Sequence, residues 1–343
     1  MKKNVLLFAP IGIMAVFVCA MAQDVPSRPA GVTTESERAV ARGIEFLANA
    51  QAKDGSWRNM GGRGSYPTAM TSLAGLALIS AGNTPTRGKY ALHLRRGIGF
   101  ILGSSQRNGL ITDFQSEARP MYGHGFSMLF LSQVYGMEED RQRRDEIRKV
   151  LRRGVELIAR SQSAQGGWNY TPDSGGDEGS VTIMQVQGLR GCRNVGIKVP
   201  KEVIDGAIRY IENSTTSDGG ISYRVGQGGS RPSLAAPAAA CLYNAGKYDS
   251  PLAERILKYC DSHLSADGPR GHYYYTQLYL AQAYYQAGGE RWEKYYPEIQ
   301  KRLLNSQRDD GSWQGDNVGT TYGTAIAIII LQLPYKNLPI CQR

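Results

Sequence analysis

Two kinds of helical segment alternate along this chain. In the first, apolar residues recur at helical spacing among charges, as at Val40, Ile44, Phe46 and Leu47, which predicts a helix with one buried face. In the second, charge almost vanishes and Ala, Gly, Thr and Leu predominate, over 68–81, 126–134, 180–191, 234–244, 276–286 and 324–333. A segment apolar nearly all round predicts a helix buried on both sides. Gly-containing turns separate the two kinds, because Gly tolerates the left-handed backbone that ends a helix. Strand signals are nearly absent.

The alternation is a repeat. Its clearest copies read RGIEFLANAQAKDGSW from Arg42 to Trp57, RGVELIARSQSAQGGW from Arg153 to Trp168, and NSQRDDGSW from Asn305 to Trp313. Weaker copies end at Gly109, at Gly219-Gly220 and near Gly268. The spacing, about 45 to 58 residues, lies in the range of helical-pair repeats. One pair cannot bury its apolar face alone, so the copies must stack. The expectation is an all-α domain over 35–343, with amphipathic helices outside and buried helices inside.

The first residues read differently. Lys2 and Lys3, an apolar run over 5–18 and the small residues of Ala20-Met21-Ala22 predict a secretory signal peptide over 1–22, cut after Ala22. The protein is then secreted or periplasmic, with 23–34 as a flexible, Pro- and Ser-containing leader. No later stretch is apolar enough to span a bilayer. The formal charge of +10 includes Lys2 and Lys3. Much of the rest lies on amphipathic segments such as 141–153, where acids interleave with Arg and Lys. That is a solvated helix face rather than a nucleic-acid stripe, so no nucleic-acid partner is expected. The basic balance can still draw in an anionic polymer. Cys192, Cys241, Cys260 and Cys341 lack metal-ligand spacing, and no metal or cofactor is expected. Cys192 and Cys241 fall late in successive buried helices, where a disulfide or a pair of buried thiols are the alternatives.

The repeat resembles the QW repeat of the terpenoid cyclases and the related repeat of protein prenyltransferase β-subunits. Arg42, Gly43, Phe46, Leu47, Gln51, Gly55 and Trp57 follow that pattern, as do Arg153, Gly154, Leu157, Ile158, Gln162, Gly166 and Trp168. The copy at Gln106 has one extra residue and no Trp, and the copy at Gln307 keeps the second half. The resemblance implies an (α/α)6 toroid in which Gln51, Trp57, Gln162, Trp168, Gln307 and Trp313 tie neighbouring repeats together. It does not carry over either family's chemistry. The chain has no DxDD, the proton-donor motif of class II cyclases, and no Asp-x-Cys of the prenyltransferase zinc site. The thioester motif of complement proteins, GCGEQ, is also missing.

Chemistry is expected where the inner helices begin. Their opening residues align as Thr68, His124, Ser180, Ser233, Thr276 and Thr324, mostly of the types that cap helix N-termini. Two places earlier stand Tyr66, Tyr122, Glu178, Arg231, Tyr274 and Tyr322. If the inner helices run parallel, these residues meet at one mouth, with Asp177 and His272 beside them. Six helix N-termini would favour an anionic group there, or keep Asp177 and Glu178 ionised. Glu178, Asp177 and His124 are the candidate catalytic residues. His124, between Gly123 and Gly125, is placed where a ligand could approach closely. Tyr66, Tyr122, Arg231, His272, Tyr274 and Tyr322 are the candidate ligand-binding residues.

Three functions compete for such a mouth. The resemblance implies an isoprenoid or other lipid ligand in a central cavity. The residues themselves suit a polysaccharide, with aromatic rings stacking on sugars and Tyr and His serving a lyase as acid and base while Arg231 neutralises a uronate. A glycosidase needs two carboxylates flanking one bond, which adjacent Asp177 and Glu178 do not supply. The third function is a non-catalytic interaction protein. A deep apolar funnel favours lipid, an open polar mouth favours sugar, and a plugged funnel favours a structural role.

Overall fold

The computed structural model describes residues 28–58, 64–268 and 271–342; the expected signal peptide over 1–22 lies outside them. The outer helices are α1 (Thr34–Ala50), α3 (Ala91–Gly103), α5 (Arg141–Arg160), α7 (Lys201–Ser214), α9 (Pro251–His263) and α11 (Gly289–Ser306). The inner helices are α2 (Pro67–Ser80), α4 (Pro120–Tyr135), α6 (Gly179–Asn194), α8 (Pro232–Asn244), α10 (Tyr273–Ala287) and α12 (Thr320–Gln332). Two short 3-10 turns, Leu333–Tyr335 and Pro339–Cys341, follow.

Local chemistry explains the elements. Thr33 opens α1 with a capping box, its hydroxyl accepting from Ser36 N while Ser36 Oγ accepts from Thr33 N, each at 3.1 Å. Asp140 caps α5 by accepting from Arg143 N at 2.7 Å, and Ile147, Leu151 and Ile158 form its buried stripe. Proline sets three inner starts at Pro67, Pro120 and Pro232. Its missing N–H costs nothing in the first turn, and its fixed φ favours the helix. α4 therefore begins well before the apolar run at 126 suggests. All 14 residues of α2 are buried.

The inner helices pack in the order α2, α4, α6, α8, α10, α12 and back to α2, and each outer helix lies against an inner helix of the ring. α1 packs on α12 as well as on α2, so the first outer helix closes the ring. This is an all-α (α/α)6 toroid.

Three turns stitch it together in one way. The Trp57, Trp168 and Trp313 indoles are fully buried and donate through Nε1 to Leu47 O, Ile158 O and Leu303 O at 2.6, 2.8 and 2.8 Å. The Nε2 of Gln51, Gln162 and Gln307 donates both to its own turn and to the next outer helix, at His93 O, Val203 O and Ala39 O. The bond from Gln307 to Ala39, 2.8 Å long, joins the last repeat to the first. Glycine is required in these turns twice over. Gly166 has φ +93°, and a Cβ there would lie 2.0 Å from Gly206 O.

Polar side chains bond across the inside of the ring. Gln187 on α6 shares a 2.7 Å hydrogen bond with Gln282 on α10, across the intervening α8 position of the ring. The Tyr279 hydroxyl lies 3.0 Å from Met184 Sδ. At the far end Gln282 and Gln286 donate to Ile340 O at 3.5 and 3.4 Å, and the last 3-10 turn packs on α6 and α10.

Two expectations change. Residues 28–34 are not a free leader, because Gly31 O accepts from Gln300 Nε2 at 2.9 Å, Val32 is buried, and α1 already starts at Thr34. The four cysteines are buried free thiols, with no Cys192–Cys241 disulfide. Among the described residues no helix is long and apolar enough to cross a membrane.

Candidate functional site

The starts of neighbouring inner helices are linked by hydrogen bonds at four places, between α2 and α4, α4 and α6, α10 and α12, and α12 and α2. Thr68 N on α2 donates to Glu117 Oε1, just before α4, at 2.7 Å. Tyr122 on α4 reaches Ser180 on α6. Tyr274 N on α10 donates to Asp316 Oδ2, before α12, at 3.1 Å, and Thr321 on α12 donates to Arg58 O, before α2, at 3.2 Å. The residues preceding the helices are Tyr66, Arg119, Glu178, Arg231, His272 and Gly319, and of these only Glu178 caps with its own side chain. The expected Ser and Thr caps instead lie within the first two turns. Proline and the extra residues in the loops shifted the register that one alignment assumed.

Glu178 is the centre of the mouth. It is 2 % exposed, and its carboxyl accepts from Val181 N at 3.0 Å and from the Ser180 hydroxyl. Ser180 Oγ lies 2.6 Å from the Tyr122 hydroxyl, continuing the chain toward solvent. Tyr122 packs beside Tyr170 with ring centroids 5.7 Å apart, and the Tyr170 and Tyr223 hydroxyls share a 2.6 Å bond. Arg119 lies over the Tyr170 ring at 4.2 Å. From the opposite side Tyr275 points its hydroxyl at Ser180 O, 3.5 Å away. Burial raises the Glu178 carboxyl above its ordinary range and outweighs the lowering by Ser180, Val181 N and Arg119. Burial thus outweighs the lowering expected from the helix N-terminus. The Tyr122 and Tyr322 phenols are likewise pushed up, chiefly by burial.

Other candidates fall elsewhere. His124 is fully buried and faces α5, with Cε1 3.4 Å from where a Gly154 Cβ would stand. Its Nδ1 accepts from Ile111 N at 3.2 Å. That is the bond Thr71, Thr182 and Thr324 make to Trp57 N, Trp168 N and Trp313 N. His124 is a repeat staple, not a catalytic residue. Gly123 and Gly125 admit Thr68 and Met184, not a ligand. Asp177 turns away from Glu178 toward Ser163, 3.4 Å off. Arg231 is exposed before α8, and the arginine at the cluster is Arg119. Tyr274 is edge-on to Tyr273, with Ser306 of α11 beside its hydroxyl, while its neighbour Tyr275 takes the inward position. His272 is exposed and Tyr66 half-buried, both in left-handed backbone before their helices. Tyr322 lies at the mouth, 9 % exposed.

Sequence reading missed Arg119, Tyr170, Tyr223 and Tyr275. In four inner helices the third residue points inward, which gives Tyr122 after Pro120, Leu234 after Pro232, Tyr275 after Tyr273 and Tyr322 after Thr320. Counting from proline would have found the first two. It also missed Glu117, a buried carboxyl that accepts from Thr68, Thr112 and Asp113 and locks α2 to the loop before α4.

No protein-family model matches the sequence, and no curated protein sequence matches it. Solved structures do. The fold is similar to that of a protein from Actinoplanes, 18% identical, over 89% of this chain and 99% of that one, with a TM-score of 0.62. It is similar to the type II terpene cyclase MstE from Scytonema, 15% identical, over 90% and 100%, with a TM-score of 0.57. An α-1,6-mannanase of Salegentibacter sp. in complex with α-1,6-mannotriose is 9% identical, over 87% and 98%, with a TM-score of 0.63. At these identities the likeness is one of fold. The class is therefore an (α/α)6 toroid of the architecture used by both terpene cyclases and glycosidases.

Proposed function

We propose that this chain is a binding toroid whose ligand is a hydroxyl-rich, saccharide-type molecule seated at the mouth of the inner barrel. The observation that carries this reading is the run Glu178–Ser180–Tyr122 opening beside the Tyr170–Tyr223 pair, with Gln187 and Gln282 bonded across the inner barrel. Carboxyl, hydroxyl and phenol groups in series offer donors and acceptors to vicinal hydroxyls, and the tyrosine faces suit the apolar face of a sugar ring. Export, expected from residues 1–22, fits an extracellular glycan. The bound molecule is held rather than cleaved. A glycosidase needs a second carboxylate across the bond, and Asp177 points away. A lyase cannot work through His124, whose imidazole is buried against α5 rather than set at the mouth.

An isoprenoid ligand is the second reading. It rests on Phe126, Leu234 and Leu278, which keep 6, 7 and 9 % exposure among the inward-facing residues. One experiment separates the two. The protein is purified from its own host and its bound small molecules are identified by mass spectrometry, alongside Glu178→Gln and Tyr122→Phe variants. The expected result is a retained glycan whose occupancy falls about tenfold in either variant. A retained lipid without glycan refutes the saccharide reading.

A further inference from the structure

An open cleft of about 450 Å³ lies on the outer flank of the mouth, within the range of about 300–1,000 Å³ typical of small-molecule sites. Its polar lining comprises Gln165, Asn169, Asp177, Arg224 and Gln227, with Gly175 and Gly176 contributing backbone. None of these residues enters the Glu178 cluster, yet the cleft and the cluster share walls. Asn169 precedes Tyr170, Arg224 follows Tyr223, and Asp177 precedes Glu178. The 2.6 Å bond between the Tyr170 and Tyr223 hydroxyls therefore spans the ridge between them, joining the two loops.

The walls are fixed. Asp218 accepts from the Ser230 and Thr216 hydroxyls at 2.6 and 2.5 Å, which holds its carboxyl down at about 2. Arg231 N donates to Ile221 O at 2.7 Å, closing the base of the 222–230 loop. Opposite, Gly175 N donates to Asp173 Oδ1 at 3.0 Å. Tyr223 stands 38 % exposed on the ridge, with the Arg224 guanidinium 6.0 Å from its ring centroid.

The chemistry of the lining selects the ligand class. Three carboxamides each offer a donor and an acceptor, and one carboxylate is balanced by one guanidinium. Such a set has no net charge to attract an ion, but it matches groups that donate and accept at once. Hydroxyls do so. Resting on the saccharide reading of the mouth, we propose that the cleft is a peripheral subsite for an uncharged sugar unit. The ligand is then a chain that runs from Glu178 across the Tyr170–Tyr223 ridge into the cleft.

The test is length dependence. Uncharged gluco- and manno-oligosaccharides of two to six units are titrated calorimetrically against the wild type, the Asn169→Ala/Gln227→Ala double variant and Tyr122→Phe. The expected result is that the wild type binds the longer chains more tightly. The double variant weakens them about tenfold and leaves the disaccharide unchanged, whereas Tyr122→Phe weakens every length. Equal effects of the double variant on short and long chains, or no effect, overturn the subsite while the mouth reading stands. If no oligosaccharide of any length binds, the mouth reading fails and the subsite with it. Circular dichroism of the double variant, whose substitutions lie in the surface loops, checks that its fold is retained.

Discussion

The turn that ends at Trp168 and the start of α6 at Glu178 are joined by a backbone hydrogen bond, from Glu178 N to Trp168 O at 2.8 Å, yet they obey opposite rules. The Trp168 turn recurs at Trp57 and Trp313 with the same bonds. The Glu178 cluster does not recur among the described residues, since the other inner helices begin after Tyr66, Arg119, Arg231, His272 and Gly319. Interactions that must hold every repeat to the next are copied. Those of the Glu178 cluster, which we propose recognise one ligand, occur once. The repeat at His124 stands between the two, since it keeps the position of the staple and changes its residue.

The largest expected effect breaks the copied half. Trp168→Ala removes a fully buried indole and its bond to Ile158 O, at a cost of about 3–5 kcal/mol. Denaturant unfolding should show this as a much lower midpoint. A loss below about 1 kcal/mol would mean that the turns do not hold the ring.

A middle-sized effect sharpens the status of His124. Burial pushes its imidazole down to about 3 from 6.5, so the folded chain keeps it neutral while the unfolded chain takes up a proton below 6.5. Stability is therefore lost as pH falls from about 6.5 toward about 3, by up to about 1.4 kcal/mol per unit. Glu117 and Glu178 act in the opposite sense, because burial raises both and the fold favours their neutral forms. The comparison of His124→Gln with the wild type isolates the histidine. Gln is the residue that stands at this position in α10, where Gln277 Nε2 donates to Ser265 O and Gly268 O at 2.8 Å. The variant should lose less stability between about pH 6.5 and about pH 4, measured by urea unfolding at both values. Parallel losses would show that His124 is protonated in the fold.

The smallest effect on stability tests the unrepeated half. Tyr122→Phe deletes one half-buried hydroxyl bonded to Ser180, and should cost about 1 kcal/mol or less. A melting temperature close to wild type, together with weakened ligand retention, would separate recognition from architecture. A loss as large as that of Trp168→Ala would place Tyr122 among the staples.

The staples were legible because their chemistry is local and repeated. Gln162, Gly166 and Trp168 sit close in sequence, and two of their bonds are made within the same turn and helix. The mouth was half legible. Tyr122, Glu178 and Tyr322 lie at the inner-helix starts, but the tyrosine beside Ser180 O is Tyr275 rather than Tyr274, and the arginine over Tyr170 is Arg119 rather than Arg231. In a helix a shift of one residue turns a side chain by about 100°, so a start misplaced by one or two positions exchanges an inward neighbour for an outward one. Tyr170 and Tyr223 could not be found by aligning helices at all, because they come from loops that only the closed ring brings together.

Periodicity, the Gly turns and the alternation of charged and uncharged helices determined, by themselves, that this chain stacks helical pairs with amphipathic helices outside and buried helices inside; the closed ring was what the family resemblance implied. Those signals are short in range, and each copy reinforces the others. Tertiary structure alone decided which residues stand at the mouth, that Glu178 is a carboxyl whose pKa burial raises, that His124 takes the place of a staple, and that Gln187 and Gln282 bond across the inner barrel. Each of these depends on burial and on partners supplied by other repeats, quantities that no local stretch of sequence contains.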